Sequence, residues 1–210
     1  ECGEEYSKGL TYKCEKCGNI LDIEYDYDKL TDNQVESMFN RKDPSLWKYR
    51  ELMPIDDPAR IVTLNEGGTP LLKCGRLSEE LKIKNLYIKD ETRNPTGSFK
   101  DRPITVAVSK AVELGTDTVT IASSGNAGAS TAAYAAKAGL SSVIFVPEKT
   151  QPGKLSQIAT CGANLIAVKG SYSDAHEISR IASKKYGWCN TTTTFLNPYC
   201  TEGDKTLAYE

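Results

Sequence analysis

Between residues 86 and 192, short apolar runs alternate with longer segments of helical period. LYIKD (86–90), VTIA (119–122), SVIFVP (142–147), NLIAV (164–168) and WCNTT (188–192) read as strands. Ile104, Ala107, Val108, Ala111 and Val112 follow the i, i+3, i+4, i+7, i+8 spacing of an amphipathic helix that opens at Ser98. Asp101, three residues on, predicts a capping box with an acid in the usual Glu place. Residues 125–128 predict a turn, and 129–138 an Ala-rich helix closed by Gly139. Residues 153–160 and 173–186 predict two further helices. Strand and helix alternating in this way predict an α/β fold with a doubly wound parallel sheet, right-handed crossovers and both faces covered.

The first 97 residues are less regular. TYKCEKCGNILDIEYDY (11–27) predicts a hairpin-like knuckle followed by an alternating strand through Ile20, Asp22, Ile23 and Tyr25. The acidic run DIEYDYD (22–28) then reads as the solvated face of that strand. Residues 31–60 are polar, carry Pro44, Pro54 and Pro58, and predict a connector with one short helix.

Composition narrows the function classes. Lys plus Arg is 26 and Asp plus Glu is 28, a formal net charge of −2. That balance gives no electrostatic footprint for nucleic acid or for an anionic membrane. Hydrophobic residues at 39% and charged residues at 26% fit a globular chain. No apolar run approaches the roughly 18 residues of a membrane span. The polar opening ECGEEYSKGL has no signal-peptide pattern. Seven cysteines, an odd number with four scattered singly, favour a reducing, cytoplasmic setting over a disulfide framework.

Four features bear on chemistry. NPTGSFKDR (94–102) is a turn signal that delivers Lys100 onto the first turn of a helix. The positive end of the helix dipole disfavours an ammonium there, which favours the neutral amine that Schiff-base and proton-transfer chemistry needs. ASSGNAG (122–128) links a strand to a helix, where backbone N–H groups make an anion site at the carboxyl end of a parallel strand. It is neither G-x-G-x-x-G nor a P-loop. Cys14-x-x-Cys17 after Cys2 fits three-quarters of a zinc ribbon, whose fourth cysteine would stand three positions before Cys2. A zinc-stapled module and a metal-free knuckle both remain open. The other cysteines read as small buried hydrophobes. His176, the one histidine, has no partner for metal or catalytic work and reads as a helix-face residue. Glu202 and Lys205 read as a structural ion pair or domain-junction contact.

NEGGTPL (65–71), NPTGSFKDR (94–102), SSGNAG (123–128) and FLNPYCTEGDKT (195–206), in this order, resemble the threonine synthases, pyridoxal-phosphate enzymes of the tryptophan-synthase-β-like fold, fold type II. The resemblance runs from about residue 60 to the end. The cysteine knuckle is also similar to an N-terminal extension of some archaeal and bacterial members. The resemblance implies that Lys100 holds the cofactor as a Schiff base and that Asn126 binds its phenolic oxygen. It implies that the Ser124, Gly125, Asn126 and Ala127 turn receives the substrate carboxylate. The implied reaction turns O-phospho-L-homoserine and water into L-threonine and phosphate, and a homodimer is compatible with it. The family's phosphate loop, and the hydroxyl facing the cofactor's pyridine nitrogen, are expected beyond residue 210.

Two positions depart from the family pattern. Many members carry arginine where this chain has Cys200, and such an arginine would grip the leaving phosphate; Lys154, near a helix start, is a candidate replacement. Pro103 stands where glycine is common, and near a helix start it removes at most one backbone bond.

The implied division is a zinc-ribbon-like module at 1–30 and a connector with part of a large domain at 31–97. A small α/β domain at 98–195 and the return to the large domain at 196–210 follow, so the large domain is incomplete in this chain. Sibling chemistries are a serine/threonine dehydratase and a cysteate or cysteine synthase. A catalytically inert fragment, or a non-enzymatic zinc-ribbon protein with a nucleotide-binding domain, are further alternatives.

Overall fold

The computed structural model describes residues 2–194 and 196–210, with the side chain of Lys154 left out. Its centre is a four-stranded parallel sheet built from β3 (Thr118–Ala122), β4 (Ser141–Pro147), β5 (Asn164–Val168) and β6 (Cys189–Asn190), in the order β5-β4-β3-β6. Successive side chains of a strand point to opposite faces, so a strand covered on both sides must be apolar throughout. Residues 142–146 of β4 are buried without interruption. On one face Val119, Ile121, Ile144 and Val146 pack against α3 (Asp101–Glu113), α4 (Asn126–Ala138) and α5 (Pro152–Thr160) through Ile104, Val108, Ala132, Tyr134 and Ile158. On the other, Ala122, Val143 and Phe145 pack against α6 (Tyr172–Tyr186) at Ala175. Each fully buried isoleucine here contributes roughly 2–3 kcal/mol relative to exposure.

The remaining elements frame this sheet. After α1 (Asp32–Asn40), 3-10 turns run over Leu46–Leu52 and Pro58–Arg60. β1 (Leu71–Lys73) and β2 (Tyr87–Lys89) pair antiparallel around α2 (Gly75–Leu81), and this ribbon exposes Leu71, Leu72, Tyr87 and Ile88. α7 (Pro198–Tyr209) packs along α3. Asn197 starts α7, accepting from the Tyr199 N–H (2.9 Å) while its amide donates to the Asn190 carbonyl at the end of β6 (2.7 Å). Trp47, Tyr199, Leu46 and Val106 form a separate core between the 3-10 segment, α3 and α7.

Several expectations need correction. No strand forms over 20–25, so the acidic run is not a strand face; a single bridge, Lys13 to Ile20, is the only pairing there. Alternation without a neighbouring strand to take up its backbone groups gives no sheet. The Ser98–Asp101 capping box is also absent. α3 begins at Asp101 with Lys100 in the N-cap position, and Asp101 turns instead to Thr96 and Ser130. The turn at 125–128 is shorter than expected, since α4 starts at Asn126; Gly139 closes it in the left-handed conformation (φ 72°), as predicted. Cys189 and Cys200 are buried, but Cys74 and Cys161 are only half-buried. The Glu202–Lys205 pair forms at 2.7 Å, and His176 lies half-buried on α6 with its ring near Tyr172.

Candidate active site

NPTGSFKDR folds as a tight turn into α3. The Gly97 N–H donates to the Asn94 carbonyl (2.8 Å), and Gly97 takes φ 82°, a left-handed value that glycine adopts without strain. The Asn94 amide donates to Glu91, and its oxygen accepts from the Gly67 N–H (2.9 Å), joining this turn to NEGGTPL. Asp101 accepts from the Thr96 N–H (2.7 Å), the Thr96 hydroxyl (2.6 Å) and the Ser130 hydroxyl of α4 (2.7 Å). Burial raises its carboxyl even so.

Arg102 is completely buried. Its guanidinium grips Glu91 (2.7 and 2.9 Å) and Glu210 (2.8 and 3.1 Å), and also donates to Thr69 and Thr206. Burial alone would lift the Glu210 carboxyl, but Arg102, the Gly68 N–H and Lys89 hold it at about 2. Lys100 is therefore fixed at its backbone by the two buried, hydrogen-bonded residues that follow it. Its amine lies over the Phe99 ring at 4.4 Å, with no ion-pair partner within 4.0 Å among the described residues.

A cavity of about 260 Å³ opens beside this lysine. Lys100 and Phe99 meet Ser123, Asn126 and Ala127 from the start of α4, Tyr172 from α6, and Thr192, Thr193 and Thr194 after β6. It lies at the carboxyl ends of β3 and β6, where open parallel sheets place ligands. Gly128 keeps the α4 turn tight: a Cβ there would sit 2.5 Å from the Ser123 carbonyl oxygen and 3.0 Å from Ile158.

Of the residues singled out in the sequence, Lys100, Asn126 and Ala127 come together in this cavity, whereas Ser124 and Gly125 do not line it. The Lys154 side chain lies outside the described residues. Cys200 is buried with its thiol toward the Thr191 carbonyl (3.7 Å), so it does not face the cavity as a ligand. Phe99, Ser123, Tyr172 and the Thr192–Thr194 run were missed. The threonines follow directly on a predicted strand, so the carboxyl-end rule offered a signal for them; Tyr172 gave none.

The cysteines converge on a second place. The Cys2, Cys14 and Cys17 sulfurs all lie within 4.8 Å of one another, with Cys2 to Cys14 at 3.5 Å. A tetrahedral zinc thiolate with Zn–S near 2.3 Å has an S–S edge of about 3.8 Å, so these three sulfurs are spaced to share an ion. Hydrogen bonds from the Tyr6 hydroxyl and the Cys17 N–H lower the Cys14 thiol to about 6. Cys14 is thus largely thiolate at neutral pH.

A family profile described as "Pyridoxal-phosphate dependent enzyme" matches residues 62–210. The chain belongs to the pyridoxal-phosphate-dependent enzymes. It is 43% identical over 213 residues to the threonine synthase of Methanocaldococcus jannaschii, covering all of this chain and 52% of that protein. To the threonine synthase of Methanosarcina acetivorans it is 44% identical over 214 residues, covering all of this chain and 51% of that one. The chain therefore spans about half the length of the curated relatives it matches. Among solved structures, the apo diaminopropionate ammonia lyase of Escherichia coli superposes with a TM-score of 0.63 at 20% identity. That match covers 80% of this chain and 52% of the lyase, and shows a shared fold. The parallel sheet is thus that of a pyridoxal-phosphate enzyme of fold type II. Among the described residues, no helix is long and apolar enough to cross a membrane.

Proposed function

We propose that this chain is the lysine-bearing half of a threonine synthase that converts O-phospho-L-homoserine and water into L-threonine and phosphate. The observation that carries this is the 43–44% identity to threonine synthases across the whole chain, with Lys100 and Asn126 in one cavity. The residues suit the cofactor: an amine without an ion-pair partner among the described residues, an amide side chain and a helix N-terminus all front one concave space at the end of a parallel sheet.

Bound pyridoxal phosphate supplies an electron sink for a carbanion at the substrate's Cα. The chain's own residues then divide the work. Lys100 would form the covalent link to the cofactor aldehyde. Its Nζ, when free, would take the proton from the substrate Cα and move protons at Cβ. Asn126 donates to the cofactor's phenolic oxygen. The N–H groups that open α4 hold the substrate carboxylate, from Asn126 and Ala127 at the cavity wall and from Ser124 and Gly125 in the turn that leads into them. Lys154 binds the leaving phosphate in place of the arginine replaced by Cys200. Phe99 and Tyr172 limit water at the cavity. The protein works in the cytoplasm. The division at 1–30, 31–97, 98–195 and 196–210 belongs to the same reading, with the β1–β2 ribbon as part of the large domain.

Cys2, Cys14 and Cys17 hold a structural zinc in this reading, stapling a module with only one internal bridge.

Borohydride reduction of the full-length protein with pyridoxal phosphate, followed by peptide mapping, is expected to modify Lys100 and nothing in Lys100→Ala. Product analysis is expected to give threonine from phosphohomoserine and no turnover of phosphoserine. Modification at another lysine, or turnover of phosphoserine alone, would overturn the reading.

A further inference from the structure

One half-buried acid has no part in the chemistry above. Asp204 lies on α7, and its Oδ1 is enclosed without a hydrogen-bond partner among the described residues. Almost every buried polar atom in a folded protein is paired, so an orphan of this kind needs a reason.

Its position supplies one. α7 crosses α3 at bare backbone: a Cβ on Gly203 would collide with the Arg102 carbonyl and lie 2.7 Å from the Pro103 Cα. Asp204 is the residue after that contact, and Lys100 stands two residues before Arg102. Cys200, one turn earlier on α7, also feels the Lys100 charge, so this face of the helix looks toward the lysine.

The charges around Asp204 come from two elements. Lys100 and Arg102 face it from the start of α3, and Cys200 faces it from α7 itself. Arg102 is already committed to Glu91 and Glu210, which leaves the Lys100 amine as the one of the two cations without an ion-pair partner among the described residues.

We propose that Asp204 is a positioning residue for Lys100: a carboxylate on α7, with one oxygen enclosed, that draws the lysine amine back from the cavity and holds it as an ammonium while no cofactor is bound. This rests on Lys100 as the cofactor lysine. Burial raises the Asp204 carboxyl to about 6 against the pull of the two cations, so it is ionised at neutral pH and neutral below that. Imine formation joins Nζ to the aldehyde carbon and expels water. It requires the amine's lone pair, and therefore the loss of a proton that an ionised Asp204 helps to keep.

The test uses the full-length protein freed of cofactor, with pyridoxal phosphate and borohydride as the probe. Borohydride delivers hydride to the imine carbon and fixes the adduct as a secondary amine. The readout is the pH at which Lys100 modification is half-maximal. Asp204→Asn is expected to move that midpoint down by about one unit, equivalent to about tenfold more adduct at a fixed pH below it. Asp204→Glu, which keeps the charge, is expected to stay near the unsubstituted protein. If Asp204→Asn fails to fold, Asp204→Ser carries the same expectation.

A midpoint unmoved in the uncharged variant, or moved as far in Asp204→Glu, overturns the proposal while leaving Lys100 in its role. Absence of any Lys100 adduct in the unsubstituted protein removes both.

Discussion

Replacing Arg102 with methionine isolates the contribution of the buried charge cluster behind Lys100. Methionine preserves much of the volume but removes a guanidinium that is wholly inaccessible and makes four contacts of 2.7 to 3.1 Å to Glu91 and Glu210. Breaking a buried pair by removing one partner costs about 3–5 kcal/mol, because the other charge stays behind. An independent figure comes from Glu210, whose carboxyl falls from an ordinary 4.5 to about 2. At 1.36 kcal/mol per pH unit, that depression corresponds to roughly 3 kcal/mol, an upper bound for Arg102 because the Gly68 N–H and Lys89 share in it. A loss of about 4 kcal/mol at pH 7 is therefore expected. The pH dependence separates charge from packing. A depressed carboxyl stabilises the fold fully above its unfolded pKa and loses that contribution as pH falls toward the folded value. The deficit of Arg102→Met is thus complete above about pH 5 and shrinks between pH 4.5 and pH 2. Urea denaturation of both proteins across that range measures it, urea being uncharged. A deficit that stays constant with pH would show that Arg102 acts through shape alone and would refute the electrostatic account.

Further expectations concern other contacts. Gly128→Ala forces the α4 turn away from Ser123 and is expected to cost about 1–3 kcal/mol and to weaken pyridoxal-phosphate uptake in a spectroscopic titration; unchanged uptake and melting would count against a tight turn at the cavity. Glu66 is buried and accepts from Trp47, Thr63, the Leu64 N–H and Tyr134, so Glu66→Gln sets an amide donor against four donors. A loss of about 2 kcal/mol, read as a melting temperature roughly 5 °C lower, is expected, and no loss would mean the amide finds another arrangement. Zinc measured by elemental analysis is expected to fall in Cys14→Ser, and in the unsubstituted protein as acidification lets protons compete with the metal for the cysteine thiolates. Metal content insensitive to both would remove the cysteine cluster as the binding place.

The parallel sheet was legible because its signals are local. Each strand is a short apolar run, each intervening helix carries its own period, and Gly139 marks the end of α4 by backbone freedom alone. The lysine turn and the ASSGNAG loop were legible for the same reason, since a strand-to-helix junction is written in consecutive residues. What escaped depends on distant partners. Nothing local in the sequence marks Arg102 as buried; it is buried because Glu210, 108 positions away, meets it. Asp101 has the spacing of a capping residue, but Thr96 and Ser130 offer it better donors. β1 is three residues long and carries no alternation from which to read it. Tyr172 joins the cavity only because α6 returns beneath β3 and β4.

The meeting of Gly203 with the Arg102 carbonyl leaves no side chain between two helices at the place where the lysine-bearing segment begins. Side chains are what usually cushion a sliding helix pair, and here there are none to deform. A translation of α7, however small, must carry the amine's own stretch of backbone with it, so the last helix and the reactive group behave mechanically as parts of one lever.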